Sequence, residues 1–87
     1  YNFLIPSIVS PAANVSAMAQ IGDGVAILPL ARVGDAELGD FTIVASNGVV
    51  NSSAVLGKYC HVDCGAIVKK EVRVKDGTWV KSGEILG

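Results

Sequence analysis

Residues 43–68 read IVASNGVVNSSAVLGKYCHVDCGAIV, and this stretch decides the fold. An aliphatic residue recurs in it at every sixth position: Val44, Val50, Leu56, Val62 and Val68. A period of six matches neither the helical repeat of about 3.6 residues nor the simple alternation of one long strand. It indicates short structural units that stack on one another.

The six-residue register extends through most of the chain, with one residue missing between Val33 and Leu38. Its 14 positions are Val9, Val15, Ile21, Ile27, Val33, Leu38, Val44, Val50, Leu56, Val62, Val68, Val74, Val80 and Leu86. Isoleucine, leucine and valine together make up 26 of the 87 residues, so chance would place about four of them on these positions. The register is therefore a true repeat.

The residue two places before each aliphatic is nearly always small, as at Ala31, Ala54 and Ala66. Residues two apart in an extended chain share a face, so each pair points into one narrow interior. Glycines directly follow several aliphatics, and we expect the chain to bend there. These glycines are Gly22, Gly34, Gly39, Gly57 and Gly87. Short strands that cannot bury their faces alone predict a solenoid.

Composition narrows the class of protein. The chain has 87 residues, 51% of them hydrophobic, with a mean hydropathy of +0.49, so one domain with surplus apolar surface is expected to self-associate. Charged or turn residues interrupt every apolar run, which argues against a membrane partner. A net charge of −1 argues against nucleic acid. Two cysteines form no disulfide framework, so a cytoplasmic location is expected.

The pattern aliphatic-Gly-x-x-small-x resembles the hexapeptide repeat of left-handed parallel β-helix acyltransferases. The resemblance implies an all-β transferase fold in which three hexads form one triangular coil, giving four to five coils, and it implies a homotrimer. We expect the β-helix domain to span residues 12–87. Residues 1–11 are expected to be a connector and first strand, which in relatives follows a nucleotide-sugar domain. No metal site is expected.

The residue before each aliphatic should point outward, and residues 18 apart should stack in columns. Val49, Ile67 and Ile85 then form an aliphatic column on the surface. We interpret this column as the homotrimer interface, because three apolar residues in line form a patch. The alternative is a set of scattered surface residues.

A second predicted column places the single histidine, His61, beside the single tryptophan, Trp79. One interpretation is a pair packed in an interface for its buried area. The other is the lining of a site in which the His61 imidazole contacts a substrate or cofactor.

Residues 47–65 resemble a narrower group, the sialic acid O-acetyltransferases and the N-acetyltransferases of UDP-4-amino sugars. That group carries Glu-His-Asp where this chain has Asn51-Ser52-Ser53, so the position of the catalytic base is Ser52. A serine hydroxyl accepts a proton only with an activating partner. Lys70, one coil beyond, is one candidate partner, and two exposed polar residues are the alternative.

His61 matches the group's second histidine, which implies contact with the thioester of acetyl-CoA or a role as the base. We also expect Trp79, Lys70 and Lys81 to contact acetyl-CoA, Trp79 as the aromatic neighbour of His61 and the lysines through the CoA phosphates. The alternative for the lysines is a solvated run of charge. Two functions remain open at this point. One is acetyl transfer from acetyl-CoA to an amino or hydroxyl group of a sugar, with His61 and Ser52 as catalytic residues. The other is a catalytically silent trimeric module on the same fold.

Overall fold

The computed structural model describes residues 6–87 and contains fourteen strands of two residues each. They are β1 (Ile8–Val9), β2 (Asn14–Val15), β3 (Gln20–Ile21), β4 (Ala26–Ile27), β5 (Arg32–Val33), β6 (Glu37–Leu38), β7 (Ile43–Val44), β8 (Val49–Val50), β9 (Val55–Leu56), β10 (His61–Val62), β11 (Ile67–Val68), β12 (Arg73–Val74), β13 (Trp79–Val80) and β14 (Ile85–Leu86). Within residues 6–87 there is no helix of the length and apolar character that a membrane span requires.

The strands form three parallel sheets, each of which is one wall of a prism. Wall A contains β1, β4, β7, β10 and β13, wall B contains β2, β5, β8, β11 and β14, and wall C contains β3, β6, β9 and β12. Every strand therefore pairs with the strand three places along the chain. Fourteen strands at three per coil give between four and five coils, which confirms the predicted all-β left-handed parallel β-helix.

The core of the helix is the predicted double series of aliphatic and small residues. The register aliphatics Ile27, Val44, Val62 and Val68 are fully buried, and each is the second residue of its strand. Of the small series, Thr42 is the one buried polar side chain within residues 6–87. Its hydroxyl donates to the Gly57 carbonyl at 2.9 Å, so the polar atom is satisfied inside the prism.

The missing residue of the repeat lies in the turn after β5. The amide of Ala36 donates to the carbonyl of Gly34 at 2.7 Å, which closes a tighter turn than those of the other coils. The strands on either side keep their pairing, with Val33 opposite Val50 and Leu38 opposite Leu56. The shortened turn thus absorbs the deletion without moving any aliphatic out of the core.

Four of the five glycines that follow aliphatics serve a different purpose from the expected bend. Only Gly87 among them has positive φ, and the other positive-φ glycines lie elsewhere, for example Gly65 at +70° and Gly77 at +72°. A Cβ on Gly34 would lie 2.7 Å from the Ser52 hydroxyl, and one on Gly39 would lie 2.5 Å from backbone atoms of Gly57. These glycines are needed because the next coil passes too close for a side chain.

Within residues 6–87, six non-glycine residues adopt positive φ in the turns, a conformation that costs a residue with a Cβ about 1–2 kcal/mol. They are Leu30, Phe41, Asn47, Ser53, Tyr59 and Glu71. Phe41 and Tyr59 share the corner between walls C and A, where their rings stack with centroids 5.3 Å apart. Stacking between coils thus offsets part of the local cost at that corner.

The N-terminal connector is described in part. Residues 1–5 of the segment expected over residues 1–11 lie outside the described residues, while Ile8–Val9 form β1 and pair with β4. The division between a connector ending at residue 11 and a β-helix domain over residues 12–87 stays a prediction.

Candidate functional site

His61 and Trp79 stack on the outer face of wall A. They are the outward residues of neighbouring strands β10 and β13, and Ile43 lies on the other side of His61 in the same register. The two rings are 6.1 Å apart between centroids and inclined by 20°. Trp79 is 58% exposed and His61 is half-buried. The predicted column is confirmed, and it forms an aromatic surface beside one imidazole.

Asp63 is a third member of this cluster, and its carboxylate accepts hydrogen bonds from Trp79 and from the backbone of Cys64. Its Oδ2 accepts a hydrogen bond from the Trp79 indole nitrogen at 3.0 Å, and its Oδ1 accepts one from the backbone amide of Cys64 at 2.7 Å. The Cys64 amide first, and then the Trp79 indole, hold the pKa of the Asp63 carboxyl below its usual value. The carboxylate is therefore ionised at neutral pH, close to His61.

Asp63 was not among the site residues expected from the sequence. The signal that identifies it is the coil length of 18 residues: Asp63 precedes Lys81 by one coil, so it lies beside the end of the strand that carries Trp79. An acidic residue two positions after an outward histidine therefore lies within reach of the outward aromatic residue in the next coil.

Ser52 lies at the corner between walls B and C, in the turn that follows β8. Its hydroxyl oxygen accepts a hydrogen bond from the Asp35 amide at 3.4 Å and is exposed. A shallow groove at this corner is lined by Ser52, Asn51, Gly34 and Arg32. The groove joins the single cationic side chain of residues 6–57 to a hydroxyl and an amide, a set of groups that binds polar oxygen atoms.

Lys70 occupies the same corner one coil beyond Ser52. The coils connect there through the backbone, where the Glu71 amide donates to the Ser52 carbonyl at 3.2 Å. Within residues 6–87 the Ser52 hydroxyl and the Lys70 amine form no hydrogen bond. Among the described residues 6–87, the arrangement gives Ser52 no activating base.

The expected site residues divide between different sides of the prism. His61 and Trp79 lie on wall A, and Lys81 follows β13 at the corner between walls A and B, where its amide donates to the Glu84 carboxylate at 2.9 Å. Ser52 and Lys70 lie at the corner between walls B and C. One chain therefore brings together His61, Trp79 and Asp63 and holds Ser52 apart from them.

The cysteines next to His61 diverge from it. Cys60 is 1% exposed, and its thiol donates to the Lys75 carbonyl at 3.2 Å inside the prism. Cys64 is exposed in the following turn. Across the described 82 residues, 6–87, no three side chains of His, Cys, Asp or Glu are placed to hold a metal ion.

Wall B carries the predicted aliphatic column. Ile67 pairs with Val49 on one side and Ile85 on the other, which confirms their stacking. Ile85 is 59% exposed, and Val49 and Ile67 are half-buried. Wall C has the outward residues Gln20, Glu37, Val55 and Arg73, of which only Val55 is apolar. The prism therefore has two walls with apolar surface and one polar wall.

Comparison with known proteins gives partial matches. No family model matches the chain. The bifunctional protein GlmU of Bifidobacterium longum, in strains DJO10A and NCC 2705, is 32% identical over 75 residues, which cover 78% of this chain. The chain spans 16% of the length of these relatives.

Among solved structures, the chain is similar to a mutant perosamine N-acetyltransferase from Caulobacter crescentus in complex with CoA and GDP-perosamine. The identity is 21%, the TM-score is 0.38, and the match covers 95% of this chain and 51% of the other. A likeness at this level carries no argument about the site.

Proposed function

We propose that the chain, a hexapeptide-repeat left-handed β-helix, transfers an acetyl group from acetyl-CoA to an amino or hydroxyl group of a sugar. The repeat runs through all fourteen strands, and the match to GlmU extends over 78% of the chain. The observation that carries the proposal is the outward His61 imidazole, stacked on Trp79 with an ionised carboxylate close by.

We propose His61 as the catalytic base. In the transfer, the sugar nitrogen or oxygen forms a bond to the thioester carbon, the carbon–sulfur bond breaks, and CoA leaves as the thiol. The attacking atom loses one proton, which passes to the His61 imidazole and then to the leaving sulfur. Imidazole suits this exchange because it both accepts and donates a proton near neutral pH.

Trp79 and Lys81 complete the proposed acetyl-CoA surface on this side of the prism. The exposed Trp79 ring offers an apolar face for the pantetheine chain, and Lys81, at the neighbouring corner, offers a positive charge for CoA phosphates. Lys70 lies at a different corner, so its proposed contact with CoA requires a second copy of the chain.

The walls support a homotrimer as part of this proposal. Apolar outward residues on walls A and B, with a polar wall C, favour packing of wall B of one copy on wall A of the next. Contact between two different walls is heterologous, and three copies of a three-sided prism close the ring. This packing brings the corner with Ser52 and Lys70 to the edge of the neighbouring wall A, where it completes the acceptor site.

A single assay tests the activity. Acetyl-CoA and a panel of amino sugars and nucleotide-linked amino sugars are incubated with the protein, and release of the CoA thiol is followed with a thiol reagent. We expect turnover that falls at least 100-fold in His61→Ala and is unchanged in Arg73→Ala on wall C. Equal turnover in His61→Ala and the parent protein would contradict the proposed role of His61.

The interface has its own test. Ile67→Lys places a charge in the aliphatic column of wall B, whereas Val55→Lys places it at the equivalent outward position of wall C. By sedimentation we expect trimers for the parent and for Val55→Lys, and monomers for Ile67→Lys. A trimeric Ile67→Lys protein would show that this column is not the interface.

One observation favours the catalytically silent module as a second candidate. Ser52 stands at the position of the expected base and has no activating partner in the part of the chain that the structure describes. If the parent protein forms trimers but neither binds nor consumes acetyl-CoA at millimolar concentration, this second function is the correct one.

A further inference from the structure

Asp63 lies between the aromatic pair of wall A and the turn that follows β10. Each oxygen of its carboxylate has a different donor, the Cys64 amide on Oδ1 at 2.7 Å and the Trp79 indole on Oδ2 at 3.0 Å. The bond from the Cys64 amide holds the carboxylate against the backbone. The bond from the Trp79 indole then restrains that side chain, which belongs to the next coil. No other carboxylate of residues 6–87 accepts a hydrogen bond from an aromatic side chain.

We infer that Asp63 is a positioning residue, which holds the Trp79 indole so that its ring stays stacked on the His61 imidazole and fixes the direction of that imidazole. The inference rests on the proposed function, because it gives the orientation of His61 a catalytic consequence. Asp63 itself does not contact the reacting atoms in this scheme.

Trp79 needs such a restraint because it is the more exposed partner of the pair. Within one copy of the chain, before the proposed packing of wall B of the next copy on wall A, 58% of the Trp79 surface is open to solvent, so packing inside that copy leaves several staggered side-chain conformations available. A hydrogen bond from the indole N–H at the edge of the ring selects one conformation about both side-chain torsions. Bonds to an ionised acceptor are about twice as strong as bonds between neutral groups, so a carboxylate is an effective anchor.

The charge of Asp63 adds to this effect. The Cys64 amide is the largest cause that lowers the pKa of Asp63, followed by the Trp79 indole, the Ser82 side chain and the nearby His61, so the carboxylate stays ionised near neutral pH. A fixed negative charge near His61 favours the positive charge that the imidazole acquires as it takes the proton. Positioning and charge therefore favour the same step.

The single tryptophan and single histidine of the sequence allow a direct structural test by nuclear magnetic resonance on the whole 87-residue chain. Asp63→Ser keeps a short acceptor for the Cys64 amide and cannot reach Trp79. Asp76→Ser is the matched control, because Asp76 also accepts a backbone amide hydrogen bond, from Lys58 at 2.8 Å, but none from an aromatic ring.

In Asp63→Ser we expect the indole N–H resonance to move upfield and exchange faster with water, and the His61 ring-proton resonances to lose the ring-current shift from Trp79. Asp76→Ser should leave both sets of resonances at the parent positions. A folded Asp63→Ser protein with unchanged indole and imidazole resonances would overturn the inference, whatever the activity of the parent protein.

Kinetics separate positioning from a purely structural effect. We expect kcat to fall between about 10-fold and 100-fold in Asp63→Ser, since small misplacements of a catalytic group cost rates of this order. Trp79→Phe keeps a ring and removes the indole donor, so it should lower kcat by the same factor, with no further loss in the double variant. Multiplicative losses would show that the two residues act separately and would contradict the inference.

These two readouts fail in different ways. Absence of acetyl transfer by the parent protein would remove the proposed function, while the resonances would still decide whether Asp63 holds Trp79 on His61. Normal transfer with parent-like resonances in Asp63→Ser would remove the positioning role and leave the proposed function standing.

Discussion

Replacing Glu71 by glycine should stabilise the protein, because Glu71 holds a backbone conformation that suits glycine. Its φ is +64°, and its exposed side chain leaves the helix surface at the corner between walls B and C. The left-handed conformation costs a residue with a Cβ about 1–2 kcal/mol. Glycine avoids this cost, but it also makes the unfolded chain more flexible, which lowers stability by about 0.4–1 kcal/mol. The expected net gain lies between about 0 and 1.6 kcal/mol, with a central value of about 0.8 kcal/mol.

The measurement is urea unfolding at one fixed protein concentration, because an oligomer's stability depends on concentration. Glu71→Ala is the matched control, since it removes the same charge and keeps a Cβ at positive φ. Its free energy of unfolding should lie within about 0.5 kcal/mol of the parent value. Gly65→Ala tests the reverse change: a Cβ at Gly65 meets nothing within 4 Å, so its cost of about 0.5–1 kcal/mol is purely conformational.

The comparison between the two Glu71 variants carries the reasoning. If alanine and glycine at position 71 raise stability equally, the gain comes from removal of a charged side chain, and the backbone argument is refuted. If glycine lowers stability, the turn after β11 does not hold the positive φ at this position.

Three further predictions use the same unfolding measurement. Gly34→Ala should lower stability by about 1–3 kcal/mol, since its Cβ would lie 2.7 Å from a hydroxyl of the next coil; an unchanged midpoint would contradict this close approach. Thr42→Val should cost about 1–3 kcal/mol by leaving the half-buried Gly57 carbonyl without its donor, and a neutral result would mean that this bond adds nothing. The Cys64 amide, as the largest cause, lowers the pKa of Asp63 in the folded protein, so the ionised carboxylate stabilises the fold. This stabilisation is fully present above the unfolded-state pKa of about 3.9 and is lost as pH falls through the folded-state pKa. Asp63→Asn should therefore lose less stability than the parent between pH 7 and acid pH, and parallel curves would contradict that.

The sequence predicted the fold because one physical requirement repeats at fixed spacing. Each coil must fill the same narrow interior, so aliphatic residues recur where the second residue of each strand lies, from Val9 in β1 to Leu86 in β14. Even the missing residue between Val33 and Leu38 was visible, because the register on both sides shows where the turn shortens. Strand pairing then follows from counting.

The turns and the site were less predictable because they depend on contacts between coils. Glu71 lies three residues after Val68, at the place in the hexad that Gly65 occupies after Val62, and both residues have positive φ. The side chain of Glu71 gives no sign of that conformation, so only its place in the repeat marks it. The bond from Trp79 to Asp63 joins residues 16 positions apart and depends on a side-chain conformation. His61 and Ser52 lie apart because their hexads form different walls of the prism. The family resemblance alone did not predict this separation.

The most direct test of the proposed site is a titration of the isotope-labelled protein with acetyl-CoA, followed through its backbone amide resonances. The account predicts saturable shifts that centre on His61, Asp63 and Trp79, with none at Gln20 and Glu37 on wall C. Shifts centred on wall C, or no shift at millimolar acetyl-CoA, would contradict it.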